Sequence, residues 1–230
     1  MGKLHDRKYA IIYNMSKYSA VLFDLDGTLT DPGIGITNSV MHALRKFDIE
    51  ENDRTKLYRF IGPPLMESFG RYYGFSKEDC EKAITFYREY FSVKGLFENE
   101  VYDGIPELLH SLKEAGKTIV LATSKPHDFS IQILKHFDLY KYFDFCACAT
   151  MDEKRTSKDE VIDYALQNIK EKDRSKIVMV GDRMHDMIGA RKCGLPSVGV
   201  LFGYGSREEL EEAGADLIAE SVADLGAMLI

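Results

Sequence analysis

Five short runs, at residues 19–24, 117–122, 143–147, 176–180 and 197–201, are rich in Val, Ile, Leu and Phe and do not alternate with polar residues. A strand with one wet face alternates. A run without alternation suits a strand buried on both faces, as in a parallel sheet covered by helices. Between the runs the apolar period becomes helical: Ile105, Leu108, Leu109 and Leu112; Phe129, Ile133 and Phe137; Val161, Ile162, Ala165, Leu166 and Ile169. This alternation predicts βαβ repetition and an α/β fold. The punctuation agrees, with a capping box at Ser157 and Glu160 and glycines 116, 194 and 214 where helices should stop.

Residues 32–100 break the alternation. Ile36, Val40, Leu44 and Phe47, then Leu57, Phe60 and Ile61, then Leu65, Phe69 and Tyr72, then Cys80, Ile84, Tyr87 and Phe91 all follow helical spacing with no strand between them. "GFSKED" offers a further capping box from Ser76. The predicted organisation is an N-terminal extension at 1–18, an α/β core at 19–31 and 101–230, and an all-helical insert at 32–100. Pro32, Gly33, Gly35, Gly104 and Pro106 serve as hinge or turn positions at its ends.

A net charge of −7 with no Lys/Arg-rich run argues against a nucleic-acid duplex or an anionic membrane as the main partner. No stretch approaches the roughly 18–20 apolar residues that span a bilayer, and "YAIIY" is too short for a secretory apolar segment. A cytoplasmic, monomeric protein acting on a small molecule is the expectation. The four cysteines lie in apolar segments without the spacing of a zinc or redox site, and are read as core packing.

Polar groups gather where strands end. Asp24 closes the first run; Thr123, Ser124 and Lys125 follow the second; Gly181 and Asp182 follow the fourth; Lys158 opens the helix after the third. In a parallel sheet these ends share one edge, where open α/β sheets bind ligands. Carboxylates so placed repel unless a cation sits among them, and hard oxygen ligands suit Mg²⁺. A hydroxyl and a lysine opposite the metal complement a phosphoryl oxygen. The implied substrate is a small phosphate ester.

"DLDGTLTD", "LATSK", a lysine opening a helix and "GDRMHD" occur in this order, and from about residue 19 onward the chain resembles the haloacid dehalogenase superfamily of phosphatases. The helical insert looks like that superfamily's cap, and the core like its Rossmann-like parallel sheet. "FIGPPL" and "GVLFGYGSREELEEAGAD" look most like its phosphoglycolate-phosphatase-like and 5′-nucleotidase-like members. The resemblance implies Mg²⁺-dependent hydrolysis of small phosphomonoesters through an aspartyl-phosphate. Asp24 would be the nucleophile, and Asp26 the general acid and base. Asp24, Asp182 and the backbone carbonyl of Asp26 would hold the metal, with Asp186 acting on it through water. Thr123 and the Ser124 amide would hold phosphoryl oxygens, and Lys158 would offset charge. Gly27 would let the chain turn with its amide exposed to the phosphate.

Substrate choice would fall to the insert near Gly62, Pro63 and Pro64, with Arg59 and Arg88 as further contacts. A phosphosugar mutase is the nearest alternative, but related mutases carry an arginine just after the cap-loop glycine, where this chain has Pro63 and Pro64. Dehalogenases do not keep the second aspartate, so Asp26 argues against that chemistry. A non-catalytic binding protein of the same fold would be a different class; no expected catalytic residue is missing. Asp31 is read as a hinge cap or a site residue, His127 and His185 as surface histidines, and "GYGS" at 203–206 as a turn. Lys154 and Arg155 are neighbours able to substitute for Lys158.

Overall fold

The computed structural model describes residues 18–151 and 155–230. Of the expected extension at 1–18, only Tyr18 falls among the described residues, and it is buried. Strand β1 (Ala20–Phe23) leads into β2 (Thr30–Asp31), and β3 (Glu100–Val101) pairs antiparallel with β2 beyond the insert. The remaining strands are β4 (Thr118–Pro126), β5 (Phe145–Ala149), β6 (Ile177–Gly181), β7 (Ser197–Val200) and β8 (Leu217–Ala219). Among the described residues these five and β1 form a six-stranded sheet in the order β5-β4-β1-β6-β7-β8. All its pairs are parallel.

The unbroken apolar runs have the cause expected of them. Val21 and Phe23 of β1 enter one core, while Ala20 and Leu22 enter another on the opposite face, against Val161, Ile162 and Ala165. Those last three belong to α6 (Lys158–Asn168), which comes after α4 (Ile105–Glu114) and α5 (His127–His136) in the chain. Beyond it come α7 (Met184–Lys192), α8 (Arg207–Glu212) and α9 (Val222–Leu229). The Ser157 capping box is formed, and glycines 116, 194 and 214 take positive φ at helix ends.

Between β2 and β3 the insert is helical. It comprises α1 (Gly33–Arg45), a 3₁₀ turn (Arg54–Phe60), α2 (Leu65–Tyr73), α3 (Lys77–Tyr90) and a π-helical turn (Phe91–Gly95). Ser76 caps α3 by accepting from the Asp79 amide at 3.1 Å. Val40, Leu44, Leu57, Phe69 and Ala83 are fully buried, and their cluster is continuous with the core around Phe23. Phe60 and Phe69 meet edge to face with centroids 5.1 Å apart.

The structure departs from the sequence-based expectation in three places. Leu57 and Phe60 lie in the 3₁₀ segment Arg54–Phe60, not in an α-helix, and Ile61 beyond it is extended; β5 begins two residues later than expected, behind the turn Tyr140–Tyr142; and β2, β3 and β8 have no counterpart among the expected strands. The last three are two or three residues long, too short for a period to register. The cysteines are free, with Cys80, Cys148 and Cys193 buried. Among the described residues no helix is long and apolar enough to cross a membrane.

Because β1 is flanked by strands and covered on both faces, truncation there leaves a cavity that neighbours cannot fill. Leu22→Ala is expected to cost about 2–5 kcal/mol, measured as a lower urea midpoint with an unchanged slope; a loss under about 0.5 kcal/mol would contradict this placement of β1.

Candidate active site

Strand register brings the polar groups together. Phe23 pairs with Leu121 of β4 and with Val180 of β6, so the residues beyond them emerge side by side. The Asp24 amide still bonds Val180 O at 2.9 Å, after which Leu25 O accepts from the amides of Leu29 and Thr30 and folds the chain into a tight loop. Gly27 is in the left-handed region at φ 83°, and a Cβ there would lie 2.1 Å from Asp182 Oδ2. Only glycine fits at that approach. Buried Leu25 and Leu29 anchor the loop from below, leaving the Asp24 and Asp26 side chains to line a cavity.

Asp182, fully buried beyond β6, accepts from the Tyr204 amide at 2.8 Å and from Thr28 Oγ1 at 3.3 Å. Asp186, in the first turn of α7, accepts from the Arg183 amide at 3.1 Å. Lys158 Nζ lies 2.8 Å from both Asp24 Oδ1 and Asp186 Oδ1, and donates to Ala122 O at 3.0 Å. Lys125 Nζ pairs with Asp26 Oδ2 at 2.5 Å and sits 4.7 Å from the centroid of the Phe91 ring. Buried Thr123 turns its Oγ1 to the Lys125 amide at 3.2 Å. The other oxygen of Asp26, Oδ1, is buried without a hydrogen-bond partner.

Carboxylate oxygens of Asp24, Asp182 and Asp186 lie within 4.8 Å of one another. Burial raises Asp182 well above the ordinary aspartate range, and the charges of Asp186 and Asp24 push the same way. Burial also raises Asp186, with Lys158 opposing and Asp24 reinforcing. Asp26 is raised by burial, against the pull of Lys125. Burial disfavours the Lys158 ammonium, but Asp186 and Asp24 outweigh it and hold the group above its usual range. Four buried carboxylates therefore face two ammonium groups. The excess of two negative charges and the hard, all-oxygen donor set fit a divalent cation.

Above the carboxylates lies a cavity of about 270 Å³, whose lining includes Asp24, Asp26, Thr123, Ser124 and Lys125 from the core. Gly62, Pro63 and Arg88 line it from the insert as expected. Arg59 does not: its guanidinium stacks 4.1 Å from the Tyr72 ring centroid, held by aromatic neighbours within the insert. Arg155 stacks at 3.8 Å on Tyr164, so it does not substitute for Lys158, and Lys154 lies outside the described residues. Asp31 is a hinge cap, accepting from the Gly33 amide at 2.9 Å and from the Tyr204 hydroxyl. His127 is exposed, whereas His185 is half-buried, and burial lowers its pKa.

Sequence reasoning places Lys125 at the polar edge but gives it no role, and does not single out Arg183 or Tyr204. Lys125 sits within "LATSK", and only the fold shows its reach to Asp26. "GYGS" is a turn as expected, yet its Tyr204 amide grips Asp182, and a Cβ at Gly203 would lie 2.2 Å from Gly27 O.

Residues 21–200 match a family model described as haloacid dehalogenase-like hydrolase. The crystal structure of a predicted phosphatase from Clostridium acetobutylicum is 53% identical with a TM-score of 0.87, covering 91% of this chain and 96% of that one. A 5′-nucleotidase from Pseudomonas aeruginosa is 45% identical over 194 residues, 84% of this chain and 87% of that protein. The tyrosine-protein kinase PtkA of Mycobacterium tuberculosis is 36% identical over 201 residues, 87% of this chain and 68% of that one.

The crowded carboxylates predict a pH-dependent response to cation. Raised folded pKa values mean that the metal-free fold is favoured by protonation below the unfolded aspartate value, and that this contribution is lost as pH rises through the folded values of Asp182 and Asp186. A divalent cation at about a hundred times its dissociation constant should add about 2.7 kcal/mol, or roughly 5–10 °C in Tm. Scanning calorimetry with cation and with chelator should show a larger increment near about pH 8 than near about pH 5. Equal increments at both would contradict this electrostatic origin.

Proposed function

The chain belongs to the haloacid dehalogenase-like hydrolases, and on that premise we propose that it is a Mg²⁺-dependent phosphatase of small phosphomonoesters that works through an aspartyl-phosphate. The observation that carries this reading is the convergence of Asp24, Asp26, Asp182, Asp186 and Lys158 at the carboxyl edge of β1 and β6, beneath a cavity.

In the first half of the reaction an Asp24 carboxylate oxygen attacks phosphorus in line, the bond to the ester oxygen breaks, and Asp26 gives that oxygen a proton. In the second half Asp26 takes a proton from water as the water attacks phosphorus, releasing phosphate and free Asp24. Burial favours the protonated form of Asp26 needed first, while Lys125 favours the charged form needed second. Thr123 and the Ser124 amide hold phosphoryl oxygens; the Gly27 amide, expected from the sequence to join them, instead donates to Thr30 O at 2.7 Å and is buried. Lys158, 2.8 Å from Asp24 Oδ1, offsets charge on the nucleophile and on the transferring group. Asp24, Asp182 and the Asp26 carbonyl, with Asp186 behind them, would hold Mg²⁺, which when bound would neutralise phosphoryl charge.

The wall above the carboxylates includes Phe60, Met66, Ile84, Tyr87, Phe91 and Phe129. Apolar and aromatic groups of this kind suit a nucleoside leaving group better than the extra carboxylate of phosphoglycolate, in line with the 5′-nucleotidase from Pseudomonas aeruginosa. Pro63 and Pro64 stand in that wall where a mutase would need a cation for a second phosphoryl group.

Phosphate release from a panel of nucleoside 5′-monophosphates, phosphoglycolate and sugar phosphates tests the reading. Release should require Mg²⁺, stop with EDTA, and be fastest for a nucleotide. Asp24→Asn should abolish it; wild-type release by that variant would refute the nucleophile. Asp26→Asn should lower kcat by about 10²–10⁴-fold while keeping the cation's effect on Tm. Label transferred to a protein hydroxyl without phosphate release would instead favour kinase chemistry, in the manner the name of PtkA describes.

A further inference from the structure

Arg183 occupies a place that the two phosphoryl-transfer steps do not use. Its backbone lies between Asp182 and Asp186, and its amide holds the Asp186 carboxylate at 3.1 Å. Its side chain, only 14% exposed, runs the other way, out of the core and into the insert. Nε donates to Glu209 Oε1 at 2.8 Å, and the same oxygen accepts from the Met184 amide at 2.9 Å, so α8 fixes the guanidinium from the core side. One terminal nitrogen, Nη1, donates to the backbone oxygen of Ile61.

Ile61 opens the "IGPP" segment, and the next three residues, Gly62, Pro63 and Pro64, all line the cavity. Gly62 has φ 102°, and a Cβ there would stand 3.0 Å from Arg183 Cγ. The loop is thus shaped to let its backbone come down on the arginine stem. Pro63 and Pro64 stiffen the chain between that contact and α2. A planar guanidinium with separate donor arms can hold a carboxylate and a carbonyl at once, which an ammonium on a flexible stem does less well.

We propose that Arg183 is a positioning and specificity residue: anchored on Glu209, it latches the 61–64 loop over the cavity and ties loop position to the segment carrying Asp182 and Asp186. The proposal rests on the phosphatase reading for its catalytic consequence, but not for the latch itself. With the latch formed, the wall at Gly62, Pro63 and Pro64 is in place before substrate arrives. Without it, each substrate must order the loop on binding, so the loss falls on KM and not on the chemical step.

Hydrogen exchange read by mass spectrometry tests the latch without reference to turnover. In Arg183→Met, residues 60–66 should exchange at least about tenfold faster, the size expected for one hydrogen bond from a charged donor, while β1 and β6 keep wild-type protection. Arg183→Lys retains a cation for Glu209 but loses the second arm, and should free the loop to a similar degree. Gly62→Ala approaches the same contact from the insert and should do likewise, which keeps the test open if Arg183→Met folds poorly. With the best phosphomonoester, Arg183→Met should raise KM about tenfold and change kcat less than about threefold. Wild-type exchange of the loop in both Arg183→Lys and Gly62→Ala would overturn the latch, as would equal loss of protection across β1 and β6. A fall in kcat at unchanged KM would overturn the positioning role. If the wild type turned over no phosphomonoester, the phosphatase reading would fail and the exchange results would still decide the latch.

Discussion

Asp24, Asp26, Asp182 and Asp186 are withdrawn from water together, with Lys125 and Lys158 as their buried counter-ions, and the fold around them is organised to hold that imbalance of charge. Isolated buried carboxylates are costly, and such a group persists only where its surroundings over-determine it. Each is held by backbone or by a neighbour: Asp182 by the Tyr204 amide, Asp186 by the Arg183 amide, Asp24 and Asp186 by the shared Lys158 ammonium. The stiff, doubly covered sheet resists the relaxation that mutual repulsion would otherwise drive. With all four carboxylates ionised two charges are uncompensated, and that deficit suits the site to a divalent ion instead of a self-contained ion pair.

The packing around this charge uses absence of side chain as a structural element. Gly27 and Gly203 let three loops, from β1, β6 and β7, close around the Asp182 carboxylate with backbone in contact with side chain. The carboxylate is thereby fixed by one donor on each oxygen, the Tyr204 amide and the Thr28 hydroxyl, which leaves a lone pair on each for a cation. Above it the environment changes sharply to aromatic and aliphatic groups of the insert, with Phe91 resting against the Lys125 ammonium. One wall of the cavity is charged and the other largely apolar.

Much of this is legible in the sequence because burial on both faces removes the ambiguity between strand and loop. The runs at 19–24, 117–122 and 176–180 can only be interior strands, and their polar ends then have to share an edge. The register Phe23↔Leu121 and Phe23↔Val180 realises that edge. Less legible are contacts between residues far apart in sequence. Lys125 meets Asp26 across 99 residues and Arg183 meets Ile61 across 122, and no local period records such a pairing. Arg59 misleads for a related reason: its charge suggests a ligand, but neighbouring Tyr72 offers the guanidinium an aromatic face inside the insert. Short strands such as β2 and β3 escape because two residues carry no period.

Those two short strands also decide how the insert is attached. Thr30 pairs with Val101 and Asp31 with Glu100, so the chain leaves the core and returns to it through one narrow ribbon. Covalently the helical segment is joined to the core at this one ribbon, while its packing around Phe23 and the Arg183–Ile61 contact hold it from the side. Its ends are adjacent in space, so a different set of helices could be grafted between the same two strands with the carboxylates below undisturbed. The carboxylate cluster and the wall facing it are thus built from separate lengths of chain, each able to vary with the other held fixed.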